Sequence, residues 1–397
     1  MISGTFSQHI DVDDAPSGAI ASEEDIIMTR TGQVGLVYTN LKGVVHNNCF
    51  KVIFSRDRFD KYFAYYFLKG PLVQHFIDSS TSGSVQRDLT HRLFNYCPFF
   101  EPPLKEQLNI GILLKSLDDK IELNRRMNET LEELARTIFK SWFVDFDPVK
   151  AKAEGRKPVG MDAETAALFP SRFVESELGM IPEGWEVSSL GAMCERSGGD
   201  IQTGPFGSQL HASDYVADGV PSVMPKDLKE DRISQADVAR ITEEDAQRLS
   251  RYRLRTGDIV YSRRGDVERC ALVTFREDGW LCGTGCLRVR SGHRGLEPVY
   301  VFAAVTTSQA RSWVVRHAHG ATMPNLNTQI LGLLPLIEPP HVVQAAYRNI
   351  AATGQNRRDQ NWSQNETLSK LRDSLLPKLI SGELRVPDAE KLAEAVL

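Results

Sequence analysis

The chain has 397 residues, room for two or three domains with ordinary cores. With 41% hydrophobic and 25% charged residues it has the profile of a soluble globular protein, and its formal net charge of −5 argues against a non-specific nucleic-acid coat. No apolar run reaches the roughly 18 residues needed to span a bilayer, and Met1 to Thr5 carries neither the basic flank nor the apolar stretch of a signal peptide. The expectation is a cytoplasmic protein without a membrane partner. The six cysteines (Cys49, Cys97, Cys194, Cys270, Cys282, Cys286) then read as free thiols; Cys282 and Cys286 have no second pair at metal-ligand spacing and read as small buried hydrophobes.

In chain order, residues 1–103 read as a strand-rich mixed domain. Asp25-Ile26-Ile27-Met28 is a short apolar strand entering the polar turn Thr29-Arg30-Thr31-Gly32; Phe50 to Phe54 is a second strand, and Asp60 to Leu68 has helical spacing. Glu101-Pro102-Pro103 marks a helix start, because proline is tolerated in a first turn. From Leu104 onward, apolar residues at 110, 114, 117, 121, 131, 135, 138 and 142 alternate by four and three, a coiled-coil seam of about 40 residues or roughly 60 Å. Asn124 and Asn128 occupy the two slots that interrupt it. The expected first long helix covers 104–150, followed by an extended linker over 151–180 that begins to show by Asp145. A second mixed domain covers 181–338 and a second long helix 339–383. A polar tail with a short helix closes the chain at 384–397.

The second half repeats the first. Asn128-Glu129-Thr130-Leu131 recurs 237 positions later as Asn365-Glu366-Thr367-Leu368, and Glu101-Pro102-Pro103 recurs at the same offset as Glu338-Pro339-Pro340. Further upstream the offset is 233, where Asp25-Ile26-Ile27 and Gly32 match Asp258-Ile259-Val260 and Gly265. Asn361 and Asn365 sit in the slots of Asn124 and Asn128. Asparagines in a seam lower stability but fix register, since misaligned partners leave them unpaired. The expected fold class is α+β: two similar mixed α/β domains, separated and followed by long helices that pair as an antiparallel coiled coil.

Signatures of catalysis are missing. There is no phosphate loop, no Gly-x-Ser-x-Gly elbow and no His-Glu-x-x-His helix, and the Glu-Pro-Pro segments lack the amide and aromatic of an amino-methyltransferase box. His317 and His319 share a strand-like spacing but read as packing residues. Recognition chemistry is better represented. The stretch 251–269 holds Arg251, Arg253, Arg255, Arg263, Arg264 and Arg269 against Asp258, Asp266 and Glu268. Each copy has a strand-to-turn segment with a hydroxyl, an arginine and a glycine, Thr29-Arg30-Thr31-Gly32 and Ser262-Arg263-Arg264-Gly265. Each also has a matched polar loop, Thr81 to Arg87 and His319 to Asn325. Arginine forks pair with guanine edges or phosphates, and hydroxyls bind either. The candidate DNA-contacting residues are Thr29, Arg30, Ser84 and Gln86 in the first domain. In the second they are Gln202, Thr203, Phe206, Ser208, Ser262, Arg263, Arg264, Thr322 and Asn325.

Four segments in order resemble the specificity (S) subunit of type I restriction-modification systems. They are Phe139 to Phe146, Ile181-Pro182-Glu183-Gly184-Trp185, Gly204-Pro205-Phe206-Gly207-Ser208 with Asp214-Tyr215 and Gly219-Val220-Pro221 following, and Leu375 to Leu384. The resemblance implies two target-recognition domains, each reading one half of a bipartite double-stranded DNA sequence, with the helices as a ruler between them. It implies no catalysis in this chain. Methylation (M) subunits would bring S-adenosylmethionine chemistry, and restriction (R) subunits ATP and Mg. The Ile-Pro-Glu-Gly-Trp opening of the second copy has no counterpart in the first, where the 237-residue offset would put it before residue 1. About fifty residues of the first recognition domain are therefore expected to be missing. Two other readings stay open: a duplicated protein-binding scaffold without DNA specificity, and an enzyme of a fused restriction type, against which the absent motifs speak.

Overall fold

The β-branched and apolar runs at Ile26–Thr29 and Ile259–Ser262 become the central strands of two antiparallel sheets, and the elements downstream of each strand recur in the same order. A computed structural model describes residues 15–81, 88–320 and 324–394. The chain divides into two units, residues 1–129 with 357–397 and residues 130–356, so the division falls inside both long helices.

In the first unit, Ile26–Thr29 pairs with Val37–Thr39 on one side and Cys49–Val52 on the other. Helices Lys61–Lys69 and Pro71–Ser80 come next, then the short helix His91–Phe94. In the second unit the same order recurs: Ile259–Ser262 between Cys270–Leu272 and Cys286–Arg290, then helices Pro298–Val305, Ser308–His317 and Thr328–Gly332. The second sheet has a fourth strand, Asp200–Thr203, beside Cys286–Arg290, which has no counterpart among the described residues of the first unit. A further four-stranded sheet in the second unit, without a counterpart among the described residues of the first, orders Tyr215–Val216, Arg240–Ile241, Val220–Val223 and Leu281–Cys282, the last pair parallel.

The first long helix runs Leu104–Phe139 and the second His341–Ile380. Within the first unit their seam carries the asparagines in a pseudo-twofold pattern. Asn124 Nδ2 donates to Asn365 Oδ1 at 2.9 Å and to Gln364 Oε1 at 2.8 Å, and Asn361 Nδ2 donates to Asn128 Oδ1 at 2.8 Å. Asn365 Nδ2 reaches the Ile121 carbonyl, 3.2 Å away. Pairing of 124 with 365 and 128 with 361 makes the helices antiparallel. Within the second unit, Tyr347 donates to the Ala135 carbonyl and Gly354 faces Leu131, continuing the antiparallel order.

Each unit also docks on its helix through a buried glutamine that the helix pattern does not single out. Gln107 donates to the Pro102 carbonyl at 2.8 Å and accepts from the Asp60 N–H. Gln344, 237 positions later, donates to the Pro339 carbonyl at 2.8 Å and accepts from the Glu297 N–H. Both are buried. The carboxamide satisfies a backbone donor and a backbone acceptor that would otherwise be orphaned in the core.

The linker expected at 151–180 is not extended. The first helix widens into a π-helical turn at Lys140–Val144, Phe146 takes a left-handed conformation (φ 56°), and helices Asp147–Ala153 and Ala163–Ala167 come after it. The helix expected to reach 150 thus ends by 144. Phe146, Val149 and Phe169 are buried with Phe143 and Trp185 in the core of the second unit, which is what holds this segment down. Glu175 and its neighbours form the hairpin Phe173–Ser176 with Gly179–Pro182. The C-terminal segment is a helix, Val386–Glu394, but its Val386, Ala389 and Ala393 are buried in the first unit rather than solvated. His317 ends a helix and stacks on Trp313 with ring centroids 3.9 Å apart, so it has no strand spacing with His319. Among the described residues no helix is long and apolar enough to cross a membrane.

The asparagine pairs yield a direct expectation. Asn361→Leu should destabilise the full chain by about 1–3 kcal/mol in chemical denaturation, because it leaves buried Asn128 without its donor. Adding Asn128→Leu should recover that loss, whereas a double variant no more stable than the single one contradicts the pairing.

Candidate nucleic-acid interface

Each central strand ends in a turn, and in both units the chain closes that turn against the same two neighbours. Asp25 and Asp258 immediately precede the strands; each accepts the N–H three residues before it, from Ser22 and Arg255, at 2.7 Å. The Ser22 N–H, foremost, holds the Asp25 carboxyl below its ordinary value. At the far end Thr29 N–H donates to the Leu36 carbonyl and Ser262 N–H to the Arg269 carbonyl, both at 2.9 Å. Gly32 and Gly265 come next at φ +76° and +73°, a region that favours glycine.

The arginine between them is held on both sides of its backbone. Arg30 N–H donates to the Asn48 carbonyl at 2.7 Å, and its carbonyl accepts from Leu89 N–H at 2.8 Å. Arg263 N–H donates to the Gly285 carbonyl and its carbonyl accepts from Leu326 N–H, both at 2.8 Å. Isolated antiparallel bridges join Thr31 to Asp88 and Arg264 to Asn325. Leu89 and Leu326 are buried, and the next-but-one turns are capped alike, by Thr90 on Leu93 N–H and by Asn327 on Ile330 N–H. Each turn thus lies against the exit of its polar loop, with the backbone fixed from behind.

The expected contact residues distribute unevenly over this frame. Arg264 is exposed, Arg263 half-buried, and neither makes an ion pair among the described residues. The Arg263 guanidinium lies 5.5 Å over the ring of Phe206, itself 51% exposed. Phe206 and Ser208 stand on a loop built by Gln209, which accepts from Phe206 N–H and from the Tyr252 hydroxyl at 2.9 Å. Gln202 and Thr203 lie on the strand leading into that loop, opposite Arg288 and Leu287. The structure therefore brings Phe206, Arg263, Arg264 and Asn325 together, with Ser208 two residues along the loop from Phe206.

The two hydroxyls of the turns face inward. Ser262 is buried and donates to the Arg264 carbonyl, while Thr29 Oγ1 donates to the Gln33 carbonyl and accepts from Leu36 N–H. Each shapes its turn rather than being presented from it, so the expectation that they contact DNA fits their geometry poorly: a satisfied, inward hydroxyl is not free to meet a base edge. Ser84, Gln86 and Thr322 lie outside the described residues. Cys282 and Cys286 pack in an apolar cluster under the second turn, and burial pushes the Cys282 thiol up to about 12. Asp88 is the residue that sequence reasoning missed. Its one signal is its place at the end of the polar loop, matching Asn325 in the other copy.

The Phe206 loop enters through a tight crossing. A Cβ added at Gly204 would lie 2.1 Å from the Gly283 carbonyl oxygen. Gly204→Ala should therefore displace this loop and destabilise the chain by about 1–3 kcal/mol in denaturant titration; an unchanged midpoint would refute the crossing.

A family model, the type I restriction modification DNA specificity domain, matches residues 9–133. The match covers the first domain and most of the first long helix. The type I restriction enzyme MjaIX specificity subunit of Methanocaldococcus jannaschii is 24% identical over 365 residues, 91% of this chain and 78% of that one. The HindI specificity subunit of Haemophilus influenzae is 25% identical over 323 residues, 71% of this chain and 68% of that one. In fold, the chain is similar to the crystal structure of a type I restriction-modification S subunit from M. genitalium, with TM-score 0.58 and 16% identity, covering 90% of this chain and 83% of that one. With duplicated domains, paired helices and this domain match, the chain is similar to the specificity subunits of type I restriction-modification systems.

Proposed function

We propose that this chain is the non-catalytic DNA reader of a type I restriction-modification complex, each unit's turn meeting one half of a bipartite duplex target. The observation that carries this is the duplicated arm: one arginine-bearing turn per unit, braced by the same pair of backbone hydrogen bonds. Direct readout needs side chains held to a fraction of their own length, and a rigid turn at the end of a central strand supplies that. Arg264, exposed and unpaired among the described residues, and Arg263 over Phe206 offer forks to guanine or phosphate. The paired helices are the element that would keep the two half-sites at fixed spacing.

In this reading, methylation subunits dock on the chain and bring S-adenosylmethionine, restriction subunits bring ATP and Mg, and the complex works in the cytoplasm. Long-read methylation mapping of cells with and without the gene tests it. Loss of one bipartite motif on deletion is the expected result, and identical maps would refute the reading. For the assembled methyltransferase, Arg263→Ala with Arg264→Ala should weaken target binding by about 1–3 kcal/mol per bidentate contact and flatten its salt dependence. Unchanged binding would remove these two residues from the interface.

A further inference from the structure

The two arms share a backbone but hold their arginines by different chemistry. In the first unit Arg30 turns one edge of its guanidinium on Asp88, with Nε to Oδ1 and Nη2 to Oδ2 both at 3.2 Å. Among the described residues its Nη1 makes no hydrogen bond, and the two side chains are 30% and 40% exposed. Among the described residues the terminal edge, Nη1 with Nη2, is therefore unoccupied. In the second unit the place of Asp88 is taken by Asn325. Arg263 there has no carboxylate; its Nε and Asn325 Oδ1 are both buried without a hydrogen-bond partner among the described residues, and its guanidinium rests on Phe206.

An arginine reads guanine with two N–H groups on one edge, aimed at O6 and N7. A carboxylate on the side edge leaves the terminal edge for that contact and removes rotamer freedom before binding, so less is lost when the contact forms. It also places a negative charge beside the fork. A phosphate drawn to Arg30 would meet that charge, whereas a guanine edge carries no net charge to be repelled. An exposed ion pair of this kind is itself worth only about 0–1 kcal/mol, so fold stability is a poor explanation for it.

We propose that Asp88 is a positioning residue for sequence specificity: it holds Arg30 so that the terminal edge of the guanidinium reads a single guanine in one half of the target, and keeps it off the phosphates. This rests on the DNA reading proposed above. Asn325 makes the second arm the unbuttressed version, in which an aromatic ring supports the arginine instead.

The test is methylation mapping in the native host carrying the full-length gene as wild type, Asp88→Asn or Arg30→Ala, with binding of each purified complex to target and to unrelated duplex. Asp88→Asn is nearly isosteric and copies the residue of the other arm. It is expected to relax one G·C position of one half-site, lowering discrimination there by about tenfold, while affinity for unrelated DNA stays level or rises. Arg30→Ala should relax the same position and leave the other half-site intact. The inference is overturned if Asp88→Asn keeps the wild-type motif at every position. It is overturned equally if the relaxed position differs from that of Arg30→Ala, or if specific and unrelated binding fall together with the melting temperature, as a purely structural role requires. If the wild type yields no bipartite motif, the DNA reading itself fails and this inference with it.

Discussion

A carboxamide buried in a helix seam must find its complement or cost the full desolvation of its polar groups, and that constraint organises this protein. Asn124 with Asn365 and Asn128 with Asn361 can be paired at one register of two antiparallel helices. Sliding either helix by four residues leaves one asparagine pair and sets the other asparagine against Ser369 or Arg357. The seam gives up apolar contact and gains a defined alignment. Gln107 and Gln344 apply the same logic one layer out, where each helix meets its own domain: a side chain closes a backbone donor and acceptor that only one docking geometry presents. Helix register and domain seating are thus both set by amides that tolerate no substitute position.

On that base, duplication preserves the backbone while side chains diverge. The bonds around Arg30 and Arg263 agree to within 0.1 Å, from 2.7 and 2.8 Å on the N–H side to 2.8 and 2.8 Å on the carbonyl side. The partners of those arginines do not agree at all, carboxylate in one unit and aromatic ring in the other. That is the division of labour expected where frame and readout are under different demands. Hydrogen-bonded backbone fixes where a side chain starts, and the side chain alone determines which base edge it suits.

Much of this was visible in the sequence because it repeats. The four-three alternation and the asparagines at one offset indicated paired helices, and the two Arg-Gly turns appeared as matched strands followed by matched loops. What escaped lacked either periodicity or local context. Gln107 and Gln344 are single polar residues near helix starts, where glutamine is ordinary, and their partners Asp60 and Glu297 lie 47 residues upstream. Asp88 acts on an arginine 58 residues away. The supposed linker misled because its anchors, Phe146, Val149 and Phe169, are irregularly spaced among alanine, lysine and proline. Composition reported the solvent side of that segment and not the buried one. The inward hydroxyls of Thr29 and Ser262 escaped for a related reason: residue type does not tell which way a turn folds its side chains.

The central claim is that two matched turns touch DNA, each at its own half of one target. Site-specific photo-crosslinking measures this directly, with a photoreactive residue placed at position 31 or at position 264 of the full-length chain in its assembled complex. Efficient crosslinks are expected from both positions, mapping to opposite halves of the bipartite sequence and lost in competition with unlabelled target. Crosslinks from both positions to the same half, or none from either turn while the complex still binds its target, would contradict that claim.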